Sequence, residues 1–277
     1  LWGFGPLKPL KPFFPYANLE GDVMIAAILI GRKGSTGFPG KNMYPILGRP
    51  MSEYPLLAAK NTPNIDELFV STDDEDIMDL SLRHGANVIK RPTHLATKEA
   101  LGEDAYIHAF EVIKREHLDD GQRVELLILL MCNAVTITAD TIGYGIDVLQ
   151  KNSDYDSAVT ASCYNMWSPL RARRIGDDGL LHPFVPFETF GDPRTLNCDR
   201  DSQGDVWFAD MGVSIVRPQC LENLETGLLP QKWMGQKIYP LRQMGCCDVD
   251  YEWQLSGAEY WLRKHGFTEV TTPYDMG

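Results

Sequence analysis

The 277-residue chain has no unbroken apolar run of the roughly 18 residues that a membrane-spanning helix needs, so no membrane partner is expected. It is also short of positive charge. Lys and Arg number 26 against 38 Asp and Glu, a formal net charge of -12. Such a balance argues against nucleic acid, whose phosphate backbone is held by clustered cations. It does not exclude a small anionic ligand, because a few local cations suffice for one phosphate group. Six cysteines are present, but none forms a C-x-x-C pair, so a zinc site is not signalled. No secretory leader is expected from the N-terminal segment, which lacks a continuous apolar stretch and a small-residue cleavage site. The cysteines are therefore expected to be reduced, each acting as a small buried hydrophobe, in a cytoplasmic protein. There is no internal repeat and no low-complexity tract.

Hydrophobic residues make up 44% and charged residues 23%, values ordinary for one well-buried α/β domain. Residue 1 is Leu rather than Met, and the natural start is expected upstream. Residues 1–20, rich in proline and aromatics, read as an irregular N-terminal arm packed on the domain or on a partner subunit. A tag remnant is the alternative reading. Residues 21–277 read as one domain.

Within it, Val23–Ile30 is a buried strand running into a glycine-rich loop. Strands are also expected over Leu68–Ser71, Ala86–Ile89, Val124–Met131, Ser157–Ser162 and Val213–Val216. Val124–Met131 is the most apolar stretch and is expected at the centre of the sheet. Helical spacing marks Asp74–His84, Gly102–Glu116 and Thr138–Gln150, the last with Thr138 or Asp140 as N-cap. A closing helix is expected over Tyr251–His265, with Trp253, Leu255, Ala258, Trp261 and Leu262 inward and Gly266 as its stop. The alternation predicts an α/β fold, a mostly parallel sheet flanked by helices. Residues 164–205 break the pattern and read as an irregular insertion, a lid or a dimerisation arm.

The loop Gly31-Arg32-Lys33-Gly34-Ser35-Thr36-Gly37-Phe38-Pro39-Gly40-Lys41-Asn42 is the most informative segment. Its glycines let the backbone approach a ligand, and its cations and neutral donors together suit a triphosphate. It is not a Walker A loop: Asn42 follows Lys41, and Ser35 stands where the first glycine is required. It is not a dinucleotide fingerprint either, because its glycines run G-x-x-G-x-x-G. The acidic residue ending the second strand, Asp73, also lies well beyond the expected spacing of about 20 residues. A second constellation is Asp248-Val249-Asp250. In a strand, residues two apart share a face, so both carboxylates would reach one hard cation. Taken alone, a D-x-D serves equally as a solvated turn. Glu252 either assists or caps the next helix.

The pattern Arg32-x-x-Ser35-x-x-x-Pro39-x-Lys41-Asn42 resembles the signature of the CMP-sialic acid synthetases and related acylneuraminate cytidylyltransferases. It is also similar to the enzymes that activate 3-deoxy-manno-octulosonate. The resemblance continues through Ser71-Thr72-Asp73, Arg91-Pro92, Leu95-Ala96 and Asp248-Val249-Asp250, over roughly residues 24–265. It implies a Rossmann-like nucleotidyltransferase fold that transfers CMP from CTP to an acidic sugar of the nonulosonic or ulosonic type. It further implies that Arg32, Ser35, Lys41 and Asn42 contact the phosphates. Arg91 would lie beside the cytosine, with the backbone around Ala100 and Gly102 reading the base edge. Asp248 and Asp250 would hold Mg²⁺ or Mn²⁺, with Lys41, Asp248 and Arg32 as catalytic residues. The base that takes the acceptor proton stays open among Asp248, Asp250 and a metal-bound water. Relatives are commonly homodimers with an arm reaching across, for which residues 164–205 are the candidate.

The resemblance weakens toward the acceptor. Thr36 replaces a loop lysine common in sialic acid synthetases. Met131–Ile137 lacks the family's usual sugar-binding segment, leaving Asn133 and Thr136 as polar candidates. Ala209-Asp210-Met211-Gly212 lacks an arginine, for which Arg171, Arg173, Arg174 and Arg194 are candidate substitutes. His84, His94, His108 and His182 show no ligand spacing. Three alternatives follow: a catalytically silent nucleotide-binding protein, a cytidylyltransferase for another acidic sugar or a phosphonate, and a uridylyltransferase.

Overall fold

Strand alternation in the first apolar run sets the layers of the fold. In the computed structural model, which describes residues 23–118, 122–199, 204–245 and 248–275, Val23–Ile30 forms strand β1. Its odd positions, Ile25, Ala27 and Leu29, enter one hydrophobic cluster. Its even positions, Met24, Ala26, Ile28 and Ile30, enter another on the opposite face. A strand buried on both faces needs helices on both faces, and the chain supplies them. The arm expected over residues 1–20, and Cys246 and Cys247, lie outside the described residues.

After β1 come the two-residue strands β2 (Pro45–Ile46) and β3 (Arg49–Pro50), helix α1 (Glu53–Lys60), β4 (Glu67–Thr72), α2 (Glu75–Arg83), β5 (Asn87–Lys90) and α3 (Gly102–Glu116). Next are β6 (Arg123–Met131), α4 (Ala139–Lys151), β7 (Ser157–Cys163), the short hairpin β8 (Arg173–Ile175) and β9 (Leu181–Pro183), and β10 (Trp207–Val216). The chain closes with α5 (Gln219–Glu222), β11 (Ile238–Gln243) and α6 (Leu255–Lys264). The main sheet runs β11-β7-β10-β6-β1-β4-β5. β1 pairs in parallel with β4 and β6, β4 with β5, and β11 with β7; β10 alone is antiparallel, to β6 and to β7. The expected mostly parallel, helix-flanked sheet is the one observed.

Helices α1, α2 and α4 cover one face through Leu56, Ile77, Leu80, Ile142 and Ile146. Helix α3 covers the other through Ala105, Tyr106, Ala109, Phe110 and Ile113. A third cluster joins α6 to the segment after β3, with Trp261, Leu262 and Phe267 against Met51, Tyr54, Val135 and Val249. From β1 the chain moves outward to β4 and β5, then returns to place β6 on β1's other side. That reversal leaves a crevice at the carboxyl ends of β1 and β6, where open α/β sheets bind ligands.

The structure resolves one alternative of the sequence reading and departs from it in two details. Thr138, not Asp140, caps α4: its side chain accepts from the Thr141 N–H at 3.2 Å. The closing helix begins at Leu255, after a 3₁₀ turn over Glu252–Gln254, so Trp253 points outward and is 77% exposed. The segment expected to be irregular contains the β8–β9 hairpin and several 3₁₀ turns.

Candidate nucleotide site

The crevice at the carboxyl ends of β1 and β6 holds a cavity of about 350 Å³. Its walls include Ile30 and Met131 at the strand ends, with Arg32, Ser35, Thr36, Gly37, Lys41 and Asn42 from the loop. Arg91, Leu95, Ala100, Leu101 and Gly102 close one end; Asn133, Asp250 and Tyr251 line the remainder. Of the residues singled out from sequence, Arg32, Ser35, Lys41, Asn42, Arg91, Ala100, Gly102, Asn133 and Asp250 thus converge on one cavity.

The loop holds its shape through local contacts. A side chain at Gly31 would place its Cβ 2.4 Å from Cys132 Sγ, so only glycine lets β1 run out beside β6. The Lys33 N–H donates to Asp73 Oδ1 at 2.9 Å, tying the loop to the end of β4. Buried Asn42 donates from Nδ2 to the Arg32 carbonyl at 3.2 Å, and its own carbonyl accepts from the Ser52 N–H at 2.9 Å. Asn42 therefore braces the loop as well as lining the cavity.

Arg91 is 6% exposed. Its Nη2 donates to the Ser71 carbonyl at 2.6 Å and its Nε to Ser71 Oγ at 3.3 Å. Burial, aided by the Arg32 charge, lowers its pKa. This is a cation fixed by the sheet rather than by solvent. Beside it α3 begins at Gly102, with no side chain capping its first turn. The free N–H groups of that turn and the positive end of the helix dipole adjoin the cavity.

At the other end, Lys41 Nζ donates to Asp250 Oδ1, with side-chain exposures of 12% and 54%. Asn133 Nδ2 donates to Asp248 Oδ1, and lies 3.2 Å from the Val249 carbonyl and 3.4 Å from Asp250 Oδ1. The Val249 N–H donates to the Asn133 carbonyl at 3.0 Å, and Ala134 bridges Asp248. Burial, with the Asp250 charge added, pushes the Asp248 carboxyl up to about 6; Lys41 and Asn133 act in the opposite sense. The two carboxylates do face one place, but not from a regular strand: Asp248 sits in an isolated bridge and Asp250 in the turn after it. Among the described residues, no group of three or more His, Cys, Asp or Glu is placed to hold a metal ion.

Other expected residues lie elsewhere. Thr136 is fully buried and does not line the cavity. Nor does any of the four arginines: Arg171 donates to the Cys198 carbonyl, Arg173 stacks on Phe187, Arg174 lies in the hairpin and Arg194 pairs with Asp192. Cys163 and Cys198 are exposed free thiols rather than buried hydrophobes, whereas Cys132 and Cys220 are buried as expected. Sequence reasoning missed Leu101 and Tyr251. Their signals were the position before a helix start and the position after the D-x-D.

Residues 26–118 match the family model described as "Cytidylyltransferase". A pseudaminic acid cytidylyltransferase of Campylobacter jejuni is 32% identical over 91 residues, which is 32% of this chain and 39% of that protein. An N-acylneuraminate cytidylyltransferase of Escherichia coli is 31% identical over 88 residues, 32% of this chain and 21% of that protein. The aligned stretches thus span well under half the length of these relatives. A solved structure described as CMP:2-keto-3-deoxy-manno-octonic acid synthetase complexed with CTP superposes with a TM-score of 0.59. It covers 88% of this chain and 99% of its own at 15% identity, and so establishes the fold. The stretch that resembles the cytidylyltransferase family model carries the glycine-rich loop, Arg91 and the start of α3, which together make most of the cavity wall.

Proposed function

We propose that the protein transfers CMP from CTP to an acidic sugar of the nonulosonic or ulosonic type and releases pyrophosphate. The observation that carries this reading is the polarity of the cavity. A glycine-rich loop with Arg32 and Lys41 meets Asp250, with Asp248 behind it on Asn133, and Arg91 with the uncapped start of α3 completes the wall. The loop suits a triphosphate, and the N–H donors at the start of α3 can serve the O2 and N3 acceptors of cytosine. The acceptor hydroxyl oxygen forms a bond to the α-phosphorus. The bond to the bridging oxygen of the β-phosphate breaks, and pyrophosphate takes its electron pair. Arg32 and Lys41 neutralise charge on the phosphate oxygens, while the loop backbone fixes their position. The acceptor proton passes to a base still open between Asp248 and Asp250.

Asp248 and Asp250 fit Mg²⁺ or Mn²⁺. Mg²⁺ is commonly held by one or two carboxylates together with substrate phosphates, and the burial and Asp250 repulsion that lift Asp248 are what a hard cation would offset. When bound, the ion supplies charge neutralisation across the phosphates.

A non-sialic acceptor, another acidic sugar or a phosphonate, is favoured by one observation. Asn133 is engaged with both carboxylates and Thr136 is buried, so the two polar candidates for the sugar are already committed. A homodimer is part of the reading. Met166, Trp167, Ile175, Leu181 and Phe184 are exposed on the insertion, an apolar surface suited to a second copy. Cytoplasmic location agrees with the exposed free thiols Cys163 and Cys198.

The test is pyrophosphate release with CTP and Mg²⁺ over a panel of 2-keto sugar acids, other acidic sugars and phosphonates, with Lys41→Ala and Asp248→Ala alongside. Release with one acceptor, lost in both variants, supports the reading. CTP binding without release from any acceptor supports a catalytically silent binding protein. An absence of CTP binding ends the proposal.

A further inference from the structure

The carboxylate pair is satisfied from within the protein. Asp250 accepts from the Lys41 ammonium, and Asp248 accepts from the Asn133 amide, which also stands 3.4 Å from Asp250 Oδ1. An ammonium and an amide therefore already engage one oxygen of each carboxylate, oxygens that a cation would use. Lys41 is held there: its side chain is only 12% exposed, and it rises from the short 3₁₀ turn Lys41–Met43 that follows Gly40. Both its present partner and the phosphate-binding loop lie within the same cavity wall.

We infer that Lys41 acts as a resident counter-cation that keeps free divalent metal off the Asp248–Asp250 pair until a nucleotide draws it away. One ammonium cannot serve Asp250 and a polyphosphate equally. A triphosphate in the loop offers Lys41 several anionic oxygens against the single carboxylate it now meets. Its transfer to the phosphates uncovers Asp250 and removes a positive charge from the cation's approach. Metal and nucleotide then enter together, and metal alone binds poorly. The inference rests on the proposed nucleotide role of the cavity, but its decisive measurement needs no nucleotide and no turnover.

The experiment titrates Mn²⁺ into the apoprotein and follows free Mn²⁺ by electron paramagnetic resonance, for wild type, Lys41→Met and Lys41→Arg. An ion pair with one exposed partner contributes up to about 1 kcal/mol, which converts to about fivefold in affinity. Loss of the repulsion between Lys41 and the incoming ion adds to this. Lys41→Met is therefore expected to bind Mn²⁺ about fivefold more tightly than wild type. Lys41→Arg, which keeps the charge, is expected to stay near wild type. Circular dichroism of each variant verifies that the fold is kept. Equal Mn²⁺ affinity in wild type and Lys41→Met, or weaker binding in Lys41→Met, overturns the inference. If Lys41→Met does not fold, wild type decides alone: strong Mn²⁺ binding without nucleotide overturns the inference, and weak binding that CTP strengthens supports it. A separate CTP titration by calorimetry distinguishes the two claims. Wild type that binds no CTP refutes the nucleotide reading whatever the Mn²⁺ result.

Discussion

Replacing Asp248 by Asn removes one charge and leaves the shape of the site, so it separates the stability of the carboxylate pair from its use. The carboxyl of Asp248 is raised from 3.8 to about 6 by burial and by Asp250. For a carboxyl whose folded-state pKa lies above its unfolded one, the unfolded chain gives up its proton first. Below about pH 4 both states hold the proton and nothing is lost. As pH rises from about 4 to 6, only the folded state keeps it, and folding stability falls. Above about 6 the full penalty applies. A shift of about two units corresponds to about 3 kcal/mol at pH 7.5 and roughly half that at pH 5. Asp248→Asn keeps an oxygen to accept from Asn133 and does not ionise, so it escapes the penalty. In metal-free buffer with a chelator, thermal melting at pH 7.5 is expected to put the variant several degrees above wild type, at about 2–4 °C per kcal/mol for a domain of this size. The gap should narrow toward pH 5, and CMP transfer should be lost in the same variant. A variant no more stable than wild type at pH 7.5 would refute the electrostatic account of the pair.

Four further outcomes are expected. Gly31→Ala drives a methyl group to 2.4 Å from Cys132 Sγ and should cost about 1–3 kcal/mol in urea unfolding, partly recovered when Cys132→Ala is added. Arg91→Ala removes the charged 2.6 Å donor from the buried Ser71 carbonyl, which keeps only the Gly31 N–H at 3.3 Å; it should lower stability by about 1–3 kcal/mol and weaken CTP binding measured by calorimetry. Competition of CTP against UTP at the same cavity should favour CTP, and equal binding would move the reading to a uridylyltransferase. In light scattering, wild type should run as a dimer that Leu181→Glu weakens; a monomeric wild type would remove the arm hypothesis.

The fold was legible wherever one period of hydrophobicity governed a whole element. Val23–Ile30 and Gly102–Glu116 have the bounds expected of them because each is framed by its own punctuation: a glycine-rich exit for the strand, and a buried stripe at helical spacing for the helix. Among the elements that escaped, three have a clear cause. Helix α1 is a single short stretch carrying Pro55 in its first turn, where proline is tolerated but reads as a breaker. Strand β11 contains Pro240, which is admissible because β11 is the outermost strand of the sheet. The first half of β10 was hidden by its bulge. Its pairing with β7 slips between Ala209 and Ser214, where Met211 takes a positive φ of 62°, so the alternation that marks a strand is broken.

The candidate site divides along the same line between local and distant causes. The phosphate loop was legible because one contiguous segment carries its glycines, cations and neutral donors. The carboxylate pair was legible too, but the strand argument gave the wrong cause. Asp248 and Asp250 meet because Asn133 reaches across 115 residues of chain to Asp248, and because the Asn133 carbonyl and Ala134 hold the Asp248–Val249 backbone against the end of β6. No local pattern encodes such a contact. The same contact explains why Asn133 was read as a sugar ligand: its amide is polar and lies at the right strand end, yet its hydrogen bonds go to the pair. Asn133→Ala separates these roles. If its amide serves the pair, the variant should weaken nucleotide-dependent Mn²⁺ binding and lower kcat while leaving the acceptor KM near wild type. A raised acceptor KM with Mn²⁺ binding intact would return Asn133 to the sugar.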